Sequence, residues 1–192
     1  MKEQIINVMS DRYEALDVIE INDLLELTSP EDLSRLNNVL CELEKDGVVY
    51  KTKKNKYILF KNCPSLKAGV LSLNKKGFGF LIIKDGEDIY IDKDNINGAV
   101  NDDRVLVEII NNHGKTEGRV LRVLNRDLSN LIGEIYFVDN KTFVKLEDKN
   151  KKLDIKLDSK STNGLVEGTK VIVSITKEMS KNKYMGRVTT VI

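Results

Sequence analysis

A chain of 192 residues is too long for one minimal domain and short for a large enzyme, so two or three small domains are expected. Apolar residues make up 41% and charged residues 32%, an ordinary globular balance, and the start Met1-Lys2-Glu3-Gln4 lacks the apolar run of a signal peptide or membrane span. A cytoplasmic location is expected. The net charge of +1 neither demands nor excludes a nucleic-acid partner, but it is unevenly spread. Residues 1–62 carry 9 basic and 12 acidic side chains, residues 63–127 carry 10 of each, and residues 128–192 carry 12 and 8, so positive charge accumulates toward the C-terminus. Cys41 and Cys63 have no CxxC spacing and no histidine companions, and read as reduced thiols. The single histidine, His113, lies in the polar run Asn111 to Lys115 and reads as a loop residue, not a metal ligand or general base.

Residues 1–62 read as mostly helical. Ile5, Ile6 and Met9 stand at helical spacing, as do Leu24, Leu25 and Leu27. The clearest helix starts at Ser29-Pro30-Glu31-Asp32, with Ser29 as N-cap, Pro30 at the first helical position and Asp32 completing a capping-box-like pattern. Leu33, Leu36, Leu40 and Leu43 form one stripe, and Gly47 ends the helix. Two β-like runs follow, Val48 to Tyr50 and Tyr57 to Phe60, joined by a link holding Lys51, Lys53, Lys54 and Lys56. Helices followed by a basic hairpin are the plan of a winged helix. Residues 63–66 read as a linker. Beyond Lys67, short β-runs separated by Gly, Asn and Asp predict small β-barrels.

This β-region repeats itself. Residues Asn97 to Ile109 align without gaps on Asn163 to Ile175 at an offset of 66, and Gly118-Arg119-Val120 echoes Gly186-Arg187-Val188 at an offset of 68. One small domain used twice is the reading, with a boundary near Leu128–Leu131. The expected domains are 1–62, 67–127 and 131–192.

The segment Lys75-Lys76-Gly77-Phe78-Gly79-Phe80-Leu81-Ile82-Ile83, followed by Asp88-Ile89-Tyr90-Ile91-Asp92, carries the chemistry. Glycine weakens a strand, and its place here suggests that something flat approaches the backbone. Strand alternation puts Phe78, Phe80 and Ile82 on one face and Gly79, Leu81 and Ile83 on the other; in the second run, Ile89 and Ile91 alternate with the outward Tyr90. A three-residue loop, Asp85-Gly86-Glu87, would pair Ile83 with Ile89 and Ile82 with Tyr90, leaving Phe80 and Tyr90 on one outward face. A two-residue Asp-Gly turn would mix the faces, so an odd-length loop is predicted. Phe78, Phe80 and Tyr90 then form a platform for stacked bases, with Lys75 and Lys76 beside it for phosphates. Stacking contributes roughly 1–3 kcal/mol per base. Lys93 and Arg104 are further candidate contacts, and in the second repeat so are Phe143 and Lys145, which share a strand face near Tyr136 and the lysine-rich stretch from Lys149 to Lys152. Asp102-Asp103, an adjacent acidic pair, reads as a solvated turn rather than a metal site.

Lys76 to Leu81 and Ile89 to Ile91 resemble the two RNA-binding motifs of cold-shock domains, which are five-stranded OB barrels. The order is more specific still: a winged-helix-like start, Gly69-Val70-Leu71, the Lys-Gly-Phe-Gly-Phe run, Asn97 to Val105, Glu117-Gly118-Arg119-Val120 with Arg126, and a second barrel. That order resembles the N-terminal half of exoribonucleases of the ribonuclease R type, in the ribonuclease II family. The resemblance implies a multidomain α+β and all-β chain, a winged helix followed by two five-stranded cold-shock barrels. Val100, Asn101 and Asp102 stand where that family usually has Met, His and Gly, a change expected to cost little.

The resemblance also implies a role: capture of single-stranded RNA and delivery of its 3′ end to a magnesium-dependent nuclease domain. The chain ends at Ile192 after the second barrel, so no catalytic residue and no magnesium site are expected within it, and binding without hydrolysis is. The expected partner is single-stranded RNA, with single-stranded DNA, the ribosome and other RNA-processing partners as further candidates. Two alternatives stay open: a free-standing cold-shock-type RNA chaperone or translation regulator, and a winged-helix DNA-binding regulator. Against the last stands the would-be recognition helix, whose polar positions include Glu31, Asp32, Glu42, Glu44 and Asp46 against Arg35 and Lys45.

Overall fold

The computed structural model describes residues 1–84 and 86–192. Three helices come first: α1 (Lys2–Met9), α2 (Val18–Leu24) and α3 (Pro30–Lys45). Ser29 caps α3 by accepting from the Asp32 N–H at 3.1 Å, with Pro30 at the first position. Only half of the anticipated box forms there. The reciprocal capping box lies at α2, between Asp17 and Glu20. Gly47, at φ +73°, turns the chain out of α3 as expected. The second helix is centred on the buried Ile21, upstream of the leucines that suggested it; Leu25 and Leu27 follow its end and pack on the same core. Strands β1 (Val49–Lys51) and β2 (Tyr57–Leu59) form an antiparallel pair, and Ile5, Met9, Leu36, Leu40 and Leu43 close over them.

Five strands follow, β3 (Leu66–Leu73), β4 (Gly79–Ile82), β5 (Ile89–Ile91), β6 (Arg104–Asn112) and β7 (Lys115–Asn125). They close into a barrel in the order β3-β4-β5-β7-β6. Five more, β8 (Leu131–Val138), β9 (Lys141–Leu146), β10 (Asp154–Leu157), β11 (Lys170–Ser180) and β12 (Lys183–Val191), close a second barrel with the same connectivity. Closure gives every strand of each barrel a neighbour on both sides. The first barrel is filled by Leu71, Leu81, Ile91, Val105 and Val107, all without exposure. Each contributes roughly 1.5–3 kcal/mol through burial.

The repeat has a structural cause. The strands β6 and β11 start 66 residues apart, and β7 and β12 start 68 apart. Gly118 and Gly186 sit where the barrels close, opposite Ile91 and Leu157 in parallel pairs. A Cβ on Gly118 would lie 2.6 Å from Val107 Cγ1, so closure leaves room for glycine alone.

The three bodies are tied by specific bonds. Arg104 Nη2 donates to the Asp46 carbonyl at 2.6 Å, and Arg122 pairs with Glu44. Between the barrels, Arg126 makes a two-point contact with the fully buried Asp103 (2.9 and 2.8 Å) and donates to Asn182 and Tyr184 of the second barrel. Burial works against the Arg126 charge, but hydrogen bonds from its guanidinium to Asp103 and Tyr184 outweigh it and raise its pKa above the ordinary arginine value.

Candidate nucleic-acid interface

Strand β4 points Gly79 and Leu81 into the barrel and Phe80 and Ile82 outward. In the observed register, Phe80 stands directly opposite Tyr90 and Leu81 opposite Ile89. The anticipated pairing of Ile83 with Ile89 and Ile82 with Tyr90 is therefore displaced by two residues. Seven residues, 82–88, separate the last paired positions. That number is odd, which keeps Phe80 and Tyr90 on one face, as alternation requires. The expected three-residue turn includes Asp85, which lies outside the described residues.

Phe78 precedes the strand and joins the same cluster. Its ring centroid is 5.5 Å from that of Tyr90 and 6.3 Å from that of Phe80, and the Phe80 and Tyr90 centroids are 5.8 Å apart. Phe80 is 41% exposed, uncommonly open for a ring flanked by core strands. The Tyr90 hydroxyl donates to Asp92 at 3.2 Å. Partial burial, with that bond second, holds its phenol above the usual range.

The glycines have a different cause from the one anticipated. Gly79 faces the core, and a Cβ there would lie 2.4 Å from the Ser72 carbonyl oxygen. Gly77 takes φ +94° in the turn from Asn74 to Phe78. One permits close strand approach and the other a tight turn.

The exposed Lys75 and Lys76 sit on that turn, held by Asn74, whose side chain accepts from the Lys76 N–H. Lys93 opens a 3-10 turn beside it, its Cβ 3.6 Å from where a Cβ on Gly77 would be. Arg104 does not join them: its guanidinium is occupied at the junction with the helical region, bonded to Asp46 and packed on Gly47.

In the second barrel Phe143 takes the place of Phe80. It pairs with Lys156 on β10, just as Phe80 pairs with Tyr90 on β5, and with Tyr136 on β8, just as Phe80 pairs with Ser72. Tyr136 and Phe143 stack at 5.6 Å and 24°, with the exposed Lys145 two residues along the same face. Burial, and then Asp154, raises the Tyr136 pKa. Lys156 was missed from sequence. It lies 66 residues beyond Tyr90, so the repeat offset alone could have found it.

The Asp102-Asp103 pair does not suit magnesium. Both carboxylate oxygens of Asp103 are engaged by Arg126, and one also accepts from the Val100 N–H. Among the described residues no group of three or more His, Cys, Asp or Glu could hold a metal ion. Among the described residues no helix is long and apolar enough to cross a membrane.

Residues 69–123 match the family model of the ribonuclease B OB domain, and residues 143–192 that of the cold shock domain. Over its whole length the chain is 28% identical to ribonuclease R of Aquifex aeolicus, of which it covers 27%, and 24% identical to ribonuclease R of Escherichia coli, of which it covers 24%. With ribonuclease R of Thermotoga maritima, 92% of the chain aligns at 28% identity. The chain spans about a quarter of the length of these relatives. Two solved structures of Mycoplasma genitalium RNase R share the fold. The apo form gives a TM-score of 0.52 at 20% identity, covering 65% of this chain and 21% of that one. The complex with ribose methylated single-stranded RNA gives 0.50 at 22%, with the same coverage. The chain thus carries an OB domain of the ribonuclease B kind followed by a cold shock domain, and over its full length it resembles the N-terminal region of ribonuclease R.

Proposed function

We propose that this chain is the RNA-binding module of a ribonuclease R-like 3′-5′ exoribonuclease, made of a winged helix over residues 1–62 and two cold-shock barrels over 67–127 and 131–192. The observation that carries the reading is the outward cluster of Phe78, Phe80 and Tyr90, three rings within 6.3 Å of one another with Lys75, Lys76 and Lys93 alongside. Rings offer any base a face to stack on, and lysines neutralise the phosphates between stacked bases. Phe143 and Lys145 extend the same chemistry to the second barrel. The likeness to a protein solved with single-stranded RNA supports the choice of ligand. In the longer protein, hydrolysis and its magnesium belong to a separate nuclease domain, and this chain binds without cutting.

Duplex recognition by α3 is disfavoured by its surroundings. Glu44 near its end pairs with Arg122 of the first barrel, and Glu42 pairs with Lys2, so the helix presents carboxylates already engaged within the protein. Titrating single-stranded RNA, single-stranded DNA and duplex DNA at several salt concentrations tests the reading. Tighter binding of the single strands, weakening as salt rises, is expected. Equal affinity for the duplex would overturn it.

A further inference from the structure

Besides the Arg126 junction and the bonds from Lys181 and Asn182 to Asn97 and Gly98, the two barrels meet at a second place, a loop. The β9–β10 connection reaches from the second barrel onto the first, and its Asn150 is held from three sides. Asn150 Nδ2 donates to the Leu73 carbonyl at 3.2 Å, its own carbonyl accepts from the Asn101 N–H at 3.0 Å, and its N–H donates to Asp148 Oδ1 at 2.9 Å. Asn101 Nδ2 donates to the other oxygen of Asp148 at 3.1 Å, and Asn101 Oδ1 accepts from the Leu73 N–H at 2.9 Å. The loop is thereby fixed relative to the first barrel before any ligand arrives.

Two clefts flank this loop. One, of about 390 Å³, runs between the Lys75–Lys76 turn, Lys93 and the second barrel's Asn150 and Lys152; among the described residues no carboxylate lines it. The other, of about 700 Å³, lies on the second barrel and is lined by Tyr136, Lys145, Lys149 and Lys151, with Glu134, Asp148 and Glu167 also on its wall. Lys152 lines both. It is exposed and forms no ion pair among the described residues.

We propose that one RNA strand crosses from the first barrel to the second over this loop, and that Lys152 holds a backbone phosphate at the crossing. The inference rests on the single-strand-binding reading above and adds a path and a residue to it. Several features favour a sugar–phosphate backbone here rather than stacked bases. The first cleft is cationic and lacks an aromatic wall, while Phe78, clustered with Phe80, follows directly on Gly77 of its lining, and Tyr136, stacked on Phe143, lines the second cleft. A prefixed loop also lowers the entropy lost on binding. A strand long enough to cover both barrels uses Lys152, and a short one seated on the rings of the first barrel does not.

The test is fluorescence anisotropy on the whole 192-residue chain with labelled oligouridylates of about 5 and about 15 nucleotides, lengths chosen from the span of one and two OB folds. Lys152→Ala is expected to weaken the long oligomer about 5-fold and to reduce its salt slope by roughly 0.7, the value for one phosphate contact on a single strand. The short oligomer should bind as before, and Lys152→Arg should restore the long one. A loss of equal size at both lengths, or none at either, would overturn the crossing while leaving RNA binding intact. A wild-type chain that binds neither oligomer would refute the RNA-binding reading and the crossing with it.

Discussion

Replacing Arg126 with Met removes the counter-charge of a carboxylate that has no exposure. Asp103 accepts two hydrogen bonds from the Arg126 guanidinium, at 2.9 and 2.8 Å, and a third from the Val100 N–H at 2.9 Å. Only the last survives the substitution. Breaking a buried pair from one side costs about 3–5 kcal/mol, because the remaining charge stays buried without its partner. The same change also cuts the bonds to Asn182 and Tyr184, so the barrels lose a tie as well as a charge pair. For a domain of this size 1 kcal/mol moves the melting temperature by roughly 4–8 °C, so a drop of roughly 12–40 °C is expected in the transition of the first barrel. Differential scanning calorimetry of the intact chain reads it. The double variant Asp103→Asn, Arg126→Met leaves no charge behind and should melt above Arg126→Met alone. A loss under about 1 kcal/mol in the single variant, or a double variant less stable than it, would refute the reasoning.

Further outcomes follow from single positions. Asp102 takes φ +68° where the second repeat has Gly168 at +85°, so Asp102→Ala should cost about 1 kcal/mol in urea denaturation while Asp102→Gly costs nothing. Gly79→Ala drives a Cβ to 2.4 Å from the Ser72 carbonyl and should destabilise the first barrel by about 2 kcal/mol or more, with loss of amide-exchange protection in β3 and β4. The Tyr90 and Tyr136 phenols are both raised above their ordinary value of 10. A raised phenol favours the neutral ring in the folded state, so its contribution is complete below pH 10 and is lost only as pH climbs through the higher folded value. RNA affinity should accordingly stay level between pH 6 and 9, and a change beyond about threefold across that window, measured by anisotropy, would contradict a platform of neutral rings.

Much of the fold was legible because local signals and burial agreed. Ser29, Pro30 and Gly47 mark the ends of α3 through chemistry that needs only neighbouring residues, and the repeat revealed itself because both barrels close on a glycine at the same station. Parity along β4 and β5 gave the shared face of Phe80 and Tyr90, but it could not give the register. Pairings two residues apart keep identical faces, and turn chemistry alone does not choose between them. Gly79 was misread because a strand glycine has two causes that look alike in sequence, an approaching ligand and an approaching strand. Arg104 was misplaced because its partner, the Asp46 carbonyl, is a backbone atom 58 residues away. Asn101 looked like a neutral exchange in a turn; its role in joining the barrels depends on Leu73, Asp148 and Asn150, which no local pattern connects to it.

The central claim is that the outward rings of the first barrel bind single-stranded RNA. The double variant Phe78→Ala, Phe80→Ala removes two stacking faces and leaves Lys75, Lys76 and Lys93 in place. At roughly 1–3 kcal/mol per base, single-strand affinity should fall by about 30-fold or more, with the salt slope little changed because no phosphate contact is lost. Unchanged affinity in a variant that melts as the wild type does would contradict the account.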